Sequence, residues 1–240
     1  LAGRRLAQTL GGRFAQSSIR RILMKISSAI INLLKVNIIK SIYTNYHHFG
    51  FAGLFKFPII MQYGSIIQGD RNSILFEKPL QFNMLTLKYK NKISIQKGGR
   101  IILRGTKACF NHMNSVLVGS KGVFEIGDQF MANGLAEFNC RKRLVFGDGC
   151  LTSVHTMFLD TDYHTITTMD GNIINLDKDI VIGNRVWVGC NVTILKGTKI
   201  GNDIVIGAGS LLSGDYCENN SIYVGHNPAK PIKSGIIWRP

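Results

Sequence analysis

From Asp179 to Asp215 an aliphatic residue recurs every six positions: Ile182, Val188, Ile194, Ile200, Ile206 and Leu212. Gly183, Gly189, Gly201 and Gly207 follow four of them directly. A period of six fits neither an α-helix, at about 3.6 residues per turn, nor a two-faced strand, at about 2. It requires a chain that makes a short strand, turns a corner and repeats, sending one aliphatic inward each time. That is the pattern of a parallel β-helix. Glycine after the inward residue lets the corner turn without a Cβ to accommodate. Three ordinary strands joined by turns would not hold six successive residues in one phase.

A chain of 240 residues is long enough for one sizeable solenoid, and 26 Gly against 5 Pro suits a coil with many corners. The five cysteines (Cys109, Cys140, Cys150, Cys190 and Cys217) are odd in number and contain no C-x-x-C pair. They read as reduced thiols of a cytosolic protein. With six scattered histidines they offer no metal-ligand spacing, and no metal site is expected. The formal charge is +15, and residues 1–69 hold nine Lys or Arg and no acid. Such a segment could meet anionic lipid, nucleic acid or a phosphorylated ligand. No nucleic-acid-binding motif accompanies it, so nucleic acid is the weakest of these.

Residues 1–23 are Arg- and Ser-rich, lack an acid and do not begin with Met. They read as a disordered, transit-like or appended extension outside the fold. Over residues 22–43, Ile26, Ile30, Leu33, Leu34 and Ile38 fall on one helical face, while Lys25, Asn32, Lys35 and Lys40 break any apolar run long enough to span a bilayer. Such a helix could lie on an anionic membrane, at the inner face of the cytoplasmic membrane, or cover the open end of the solenoid. Covering the end is the favoured role. Tyr46 to Phe57 is aromatic-rich and is expected to continue that packing, which makes residues 24–60 an N-terminal cap. Residues 61–225 then form the coil and 226–240 a tail that leaves it. Short aliphatic runs begin near Met61, with a degenerate repeat at first. Phe146 and Ile182 lie a whole number of repeats apart and keep phase, whereas Ile126 and Phe146 do not and imply a two-residue irregularity.

Between residues 159 and 179 the periodicity fails and a polar segment intervenes. A loop set into a regular coil is where function concentrates. It carries His164 within Asp160-x-Asp162-x-His164. Histidine exchanges a proton near neutral pH, and a neighbouring carboxylate can hold its tautomer. One Asp could orient the ring while the other caps a turn or binds acceptor hydroxyls.

The run VIGNRVWVGCNVTILKGTKIGNDIVIGAGSLL, followed by GHNPAKPIK, resembles the hexapeptide-repeat acyltransferases. With LDTDYH and the helical lead-in, it is most similar to the O-acetyltransferases of bacterial surface-polysaccharide clusters. The resemblance is strong from about Ile126 to Lys233. It implies a left-handed parallel β-helix, mainly β, a homotrimer with each active site between two subunits, acetyl-CoA as donor and a sugar or glycan acceptor. In galactoside and maltose acetyltransferases the base is a loop His at a set interval before the Trp of V-W-I-G. The same interval, counted back from Trp187 without a gap, lands on His164. Their F-x-A-N element is matched by Phe130-Met131-Ala132-Asn133, which assigns Asn133 to the reaction centre. The resemblance places Trp187, Gly189, Cys190, Ala208 and Ser213 along the donor. Cys190 stands where the family often has Ser, and Gly214 where Lys is common. Lys230 and Lys233 could supply the missing charge to the 3′-phosphate.

Acyl transfer from a thioester to a hydroxyl needs a base and donors for the developing oxyanion. His164 is the expected base and the Gly189 backbone N–H a candidate donor. Cys190 has no base partner and reads as a wall residue. Three alternatives stay open: N-acetylation of an amino sugar or xenobiotic, a non-catalytic β-helix assembly protein and, less readily, a zinc-binding β-helix enzyme.

Overall fold

The computed structural model describes residues 35–79, 84–225 and 230–234. By its internal contacts the chain divides into units of residues 1–36 and 37–240, and the second unit holds the coil. The proposed extension 1–23 and the helical positions Ile26, Ile30, Leu33 and Leu34 lie outside the described residues. From Ile59 onward the backbone winds through three sheets in rotation, and among the described strands every pairing but the last is parallel. This is the left-handed parallel β-helix expected, mainly β, with a helix at its N-terminal end. We call the three sheets first, second and third in the order the chain meets them.

All six residues of the hexapeptide phase are buried, none more than 4% exposed. The coil also explains why the phase blurs towards the N-terminus. Val188 pairs with Ile206, three whole repeats further on, so late turns keep the phase. Ala132 pairs with Phe110 and with Thr152, and both of those turns run past three repeats, by four positions and by two. The longer turns enclose a wider cross-section, and aromatics fill it. Phe110, Phe124, Phe130, Phe138, Phe146 and Phe158 are all fully buried. Phe138 and Phe158 stack with centroids 5.0 Å apart, and Phe146 meets Phe130 edge-on at 4.9 Å. Each such ring contributes about 2 to 3 kcal/mol by leaving water. Shorter turns after Ile180 leave room for Ile, Val and Leu only, until Tyr216 and Tyr223 close the column. The expected pairing of Phe146 with Ile182 and the slip before it, Ile126 with Phe146, are both present.

The described part of the N-terminal cap meets the coil through polar side chains. Its described helix, α1, runs Ile38–Lys56 with a break at Gly50 (φ 61°), so the aromatic stretch is itself helical. The face against the coil is polar: Ser41, Thr44, Asn45 and His48 are buried, while Ile38 is more than half exposed. The reason is the open edge of the first strand, Ile59–Met61. Asn45 Oδ1 accepts from Ile59 N at 3.0 Å and its Nδ2 donates to Ile59 O at 2.7 Å. Ser41 Oγ accepts from Met61 N at 3.0 Å. Side-chain amide and hydroxyl thus take the place of a missing strand, which an apolar helix face could not do. At the other end, Lys230–Ser234 turns back antiparallel on Ser221–Val224 rather than leaving the coil.

His48 yields a pH prediction. Burial, then the neighbouring His47, holds its pKa down at about 4, and its Nδ1 has no hydrogen-bond partner among the described residues. The folded chain keeps this ring neutral, while the unfolded chain protonates it below about 6.5. Its contribution is present above about pH 6.5 and is lost as pH falls towards 4, amounting to about 3 kcal/mol. Melting curves of the native chain and of His48→Gln should diverge across this window, and parallel curves would contradict the burial.

Candidate active site

The residues expected at the site fall into two clusters on different corners of the coil. The first lies on the outward side of the first sheet and the corner it runs into. Met131 pairs with Leu151, and Leu151 with Trp187, in one outward column. Asn133 and Ser153 follow the paired, buried Ala132 and Thr152. Trp187 is exposed, and its Nε1 donates to Ser153 Oγ at 3.0 Å. Asn133 Oδ1 accepts from Asn111 Nδ2 at 3.0 Å. That leaves Asn133 Nδ2 as the unspent donor of the amide among the described residues. A mostly apolar groove of about 520 Å³ runs past Asn133, lined by Met84, Cys109, Met131 and Leu151.

At the same corner stand Gly189, Cys190 and Ala208. The Gly189 N–H donates to Ile206 O at 2.8 Å, so it is already spent within the coil and is not a free oxyanion donor. Its lack of a side chain has another cause: a Cβ would lie 2.7 Å from that carbonyl and 2.8 Å from Ala208 N. Cys190 is half-buried, and its carbonyl accepts from Gly209 N at 2.8 Å. Ala208 and Gly209 are exposed, with open space beside Gly209.

The second cluster lies where the second sheet ends. Met157–Leu159 pairs with Glu137–Asn139, and the chain then leaves the coil until Ile180. Asp160 roots the loop. It is fully buried, and its carboxylate accepts from Arg141 N at 2.7 Å and Lys142 N at 2.8 Å. Burial pushes its pKa above the ordinary carboxylate value, against the pull of these N–H groups. A carboxylate enclosed in this way caps the turn at Arg141 and Lys142, one of the roles open to it from the sequence. Asp162 is exposed, and its carboxylate meets the Lys196 ammonium and Asn175 Nδ2. Those two partners hold its pKa below the ordinary value.

His164 stands exposed next to this knot. Its N–H donates to Asp162 O at 2.7 Å, and its carbonyl accepts from Asn175 Nδ2 at 2.8 Å. Among the described residues no carboxylate hydrogen-bonds its ring, so neither Asp orients it through the imidazole. The backbone does: Asn175 also accepts from Ile166 N at 2.6 Å and gives its carbonyl to Lys196 Nζ at 2.8 Å. Asn175 and Lys196 were not legible as site residues, since they lie well beyond His164 in the chain with no motif to join them. Ser213 belongs to this corner too, one turn after Leu195 in register, with its carbonyl on Tyr216 Oη at 3.1 Å. Lys230 and Lys233 lie on the last antiparallel strand.

Among the described residues no hydrogen bond joins His164 to Asn133. The strand Glu137–Cys140 separates their corners, a span of about 13 Å at the usual rise per residue.

Comparison with known proteins bears on the fold. Residues 179–214 match the family model described as bacterial transferase hexapeptide (six repeats). A 54-residue stretch is 54% identical to the putative lipopolysaccharide biosynthesis O-acetyl transferase of Escherichia coli K12, covering 22% of this chain and 26% of that one. Over 109 residues the chain is 38% identical to the polysialic acid O-acetyltransferase of Neisseria meningitidis, covering 45% and 50%. The chain thus spans about half the length, or less, of these curated relatives. Among solved structures, the polysialic-acid-specific acetyltransferase NeuO superposes with a TM-score of 0.52 at 25% identity, over 75% of this chain and 90% of that one. The polysialic acid O-acetyltransferase OatWY shares the fold, with a TM-score of 0.52 at 24% identity over 76% and 90%. Fold and looped coil define a hexapeptide-repeat β-helix. Residues 179–214 of this coil carry the repeat that the family model describes.

Proposed function

We propose that this chain is an acetyl-CoA-dependent O-acetyltransferase that acts on a sugar hydroxyl in surface polysaccharide biosynthesis, with His164 as general base. The observation that carries the reading is the break in the coil between Leu159 and Ile180, which presents an exposed imidazole on a loop fastened by Asp160, Asn175 and Lys196. The names of the relatives, polysaccharide O-acetyltransferases, support the acceptor class. The five free thiols fit a cytoplasmic setting.

The chemistry follows from the side chains. Neutral His164 takes the proton of the acceptor hydroxyl as its oxygen attacks the thioester carbonyl. The tetrahedral adduct collapses with loss of the CoA thiolate, and the imidazolium returns the proton to sulfur. Asn133, with an unspent amide donor, suits the developing oxyanion or an acceptor oxygen. Trp187, Cys190, Ala208 and Gly189 form a wall for the donor, and Ser213, Lys230 and Lys233 are assigned to its far end by the resemblance. The two clusters stand on different corners, which supports a site completed between copies, the corner of one facing the loop of the next in a homotrimer.

Calorimetric titration of the full chain with acetyl-CoA should show saturable binding, with a constant between about 1 µM and 1 mM. Thiol release should then rise with one or more members of a panel of sugars and lipid-linked oligosaccharides. A chain that takes up no acetyl-CoA would instead be a β-helix scaffold.

A further inference from the structure

Helix α1 is amphipathic in the reverse of the usual sense. Its polar face is spent on the first strand, and its apolar face looks outward. Ile38, Ile39, Ile42, Tyr43 and Tyr46 are all exposed, Ile39 to 82%. Beyond the Gly50 break, Phe51 and Phe55 are 71% and 86% exposed, and Tyr46 meets Phe51 edge-on at 5.6 Å, which carries the apolar surface across the kink. Single exposed hydrophobics are ordinary, but seven large ones on one helix mark a contact surface.

We infer that this face seats the chain on an anionic lipid surface. Charge selects that occupant. Lys40 and Lys56 stand near the two ends of the helix, and residues 1–69 contain nine Lys or Arg and no acid. Laying this face on the same face of a second copy would set lysine near lysine. An anionic bilayer surface complements both the lysines and the apolar side chains, and aromatics with Ile at the headgroup boundary are the residues such surfaces take. The contact is superficial, because no helix among the described residues is long and apolar enough to cross a membrane. The inference stands apart from the catalytic reading.

The test floats the full chain with phosphatidylcholine vesicles, either plain or containing roughly one-third phosphatidylserine. Flotation is expected with the anionic vesicles and should weaken as salt rises from about 0.1 M to 0.5 M. Ile39→Ser combined with Phe55→Ser should lower the bound fraction about tenfold with melting unchanged, since both side chains are exposed. Three results would overturn the inference. The native chain could fail to float with anionic vesicles. The double variant could float as well as the native chain, which would assign binding to the basic segment alone. The native chain could also lose mass in light scattering, without vesicles, on making the two substitutions, which would make the face a contact between copies.

Discussion

His164→Ala is expected to lower acetyl transfer by roughly 10²- to 10⁴-fold, the usual worth of a positioned general base. Its melting temperature should stay close to that of the native chain. The side chain is exposed, and no hydrogen bond from its ring appears among the described residues. The neighbouring contacts, Asp162 O and Asn175 Nδ2, engage only its backbone and survive the substitution. Steady-state rates on a responsive acceptor, beside a thermal melt, make the check. A variant that retained more than about a tenth of native turnover would remove His164 from the base role. Because the backbone is unaffected, acetyl-CoA affinity should also persist, which separates loss of chemistry from loss of binding.

Asp160→Ala should be the most damaging single change near the site, by a different route. It removes the acceptor for two N–H groups, Arg141 and Lys142, and leaves them without that partner. Stranding buried donors costs about 1 to 3 kcal/mol each, offset in part because an enclosed carboxylate is itself costly to bury. A net loss of about 3 kcal/mol would lower the melting temperature by roughly 6 to 12 °C for a chain of this size. The same change frees the root of the loop, so kcat should fall even at temperatures where the coil stays folded. Unaltered melting together with unaltered kcat would show that the loop is held elsewhere. Together, His164→Ala and Asp160→Ala distinguish a group that does chemistry from one that positions it: the first alters rate alone, the second rate and stability together.

What could be read from the residues divides along physical lines. The six-residue phase was legible because inward positions tolerate nothing but aliphatics where a turn holds three whole repeats. Towards the N-terminus the same winding hides in sequence, since longer turns shift the phase and admit Phe. The loop that carries His164 was legible as the break in the pattern. Its fasteners were not, because Asn175 and Lys196 act through one amide and one ammonium that no spacing rule ties to it. Asp160 and Asp162 look equivalent in the sequence. They differ in space because one caps the corner at Arg141 and Lys142 from inside and the other faces Lys196 in solvent. The polar underside of α1 was hidden for a related reason. An apolar helical stripe normally faces inward, but an open strand edge demands hydrogen bonds first, and α1 turns Ser41 and Asn45 to supply them.

The closure of the first sheet has a bearing on assembly. At one end its edge is occupied by the side chains of α1, and at the other by a strand that contains Pro231, which has no N–H to offer. At these two edges the first sheet presents no regular ladder of free N–H and C=O groups for a second copy to continue. Its flank, by contrast, stays open to solvent, with Met131, Leu151 and Trp187 along it.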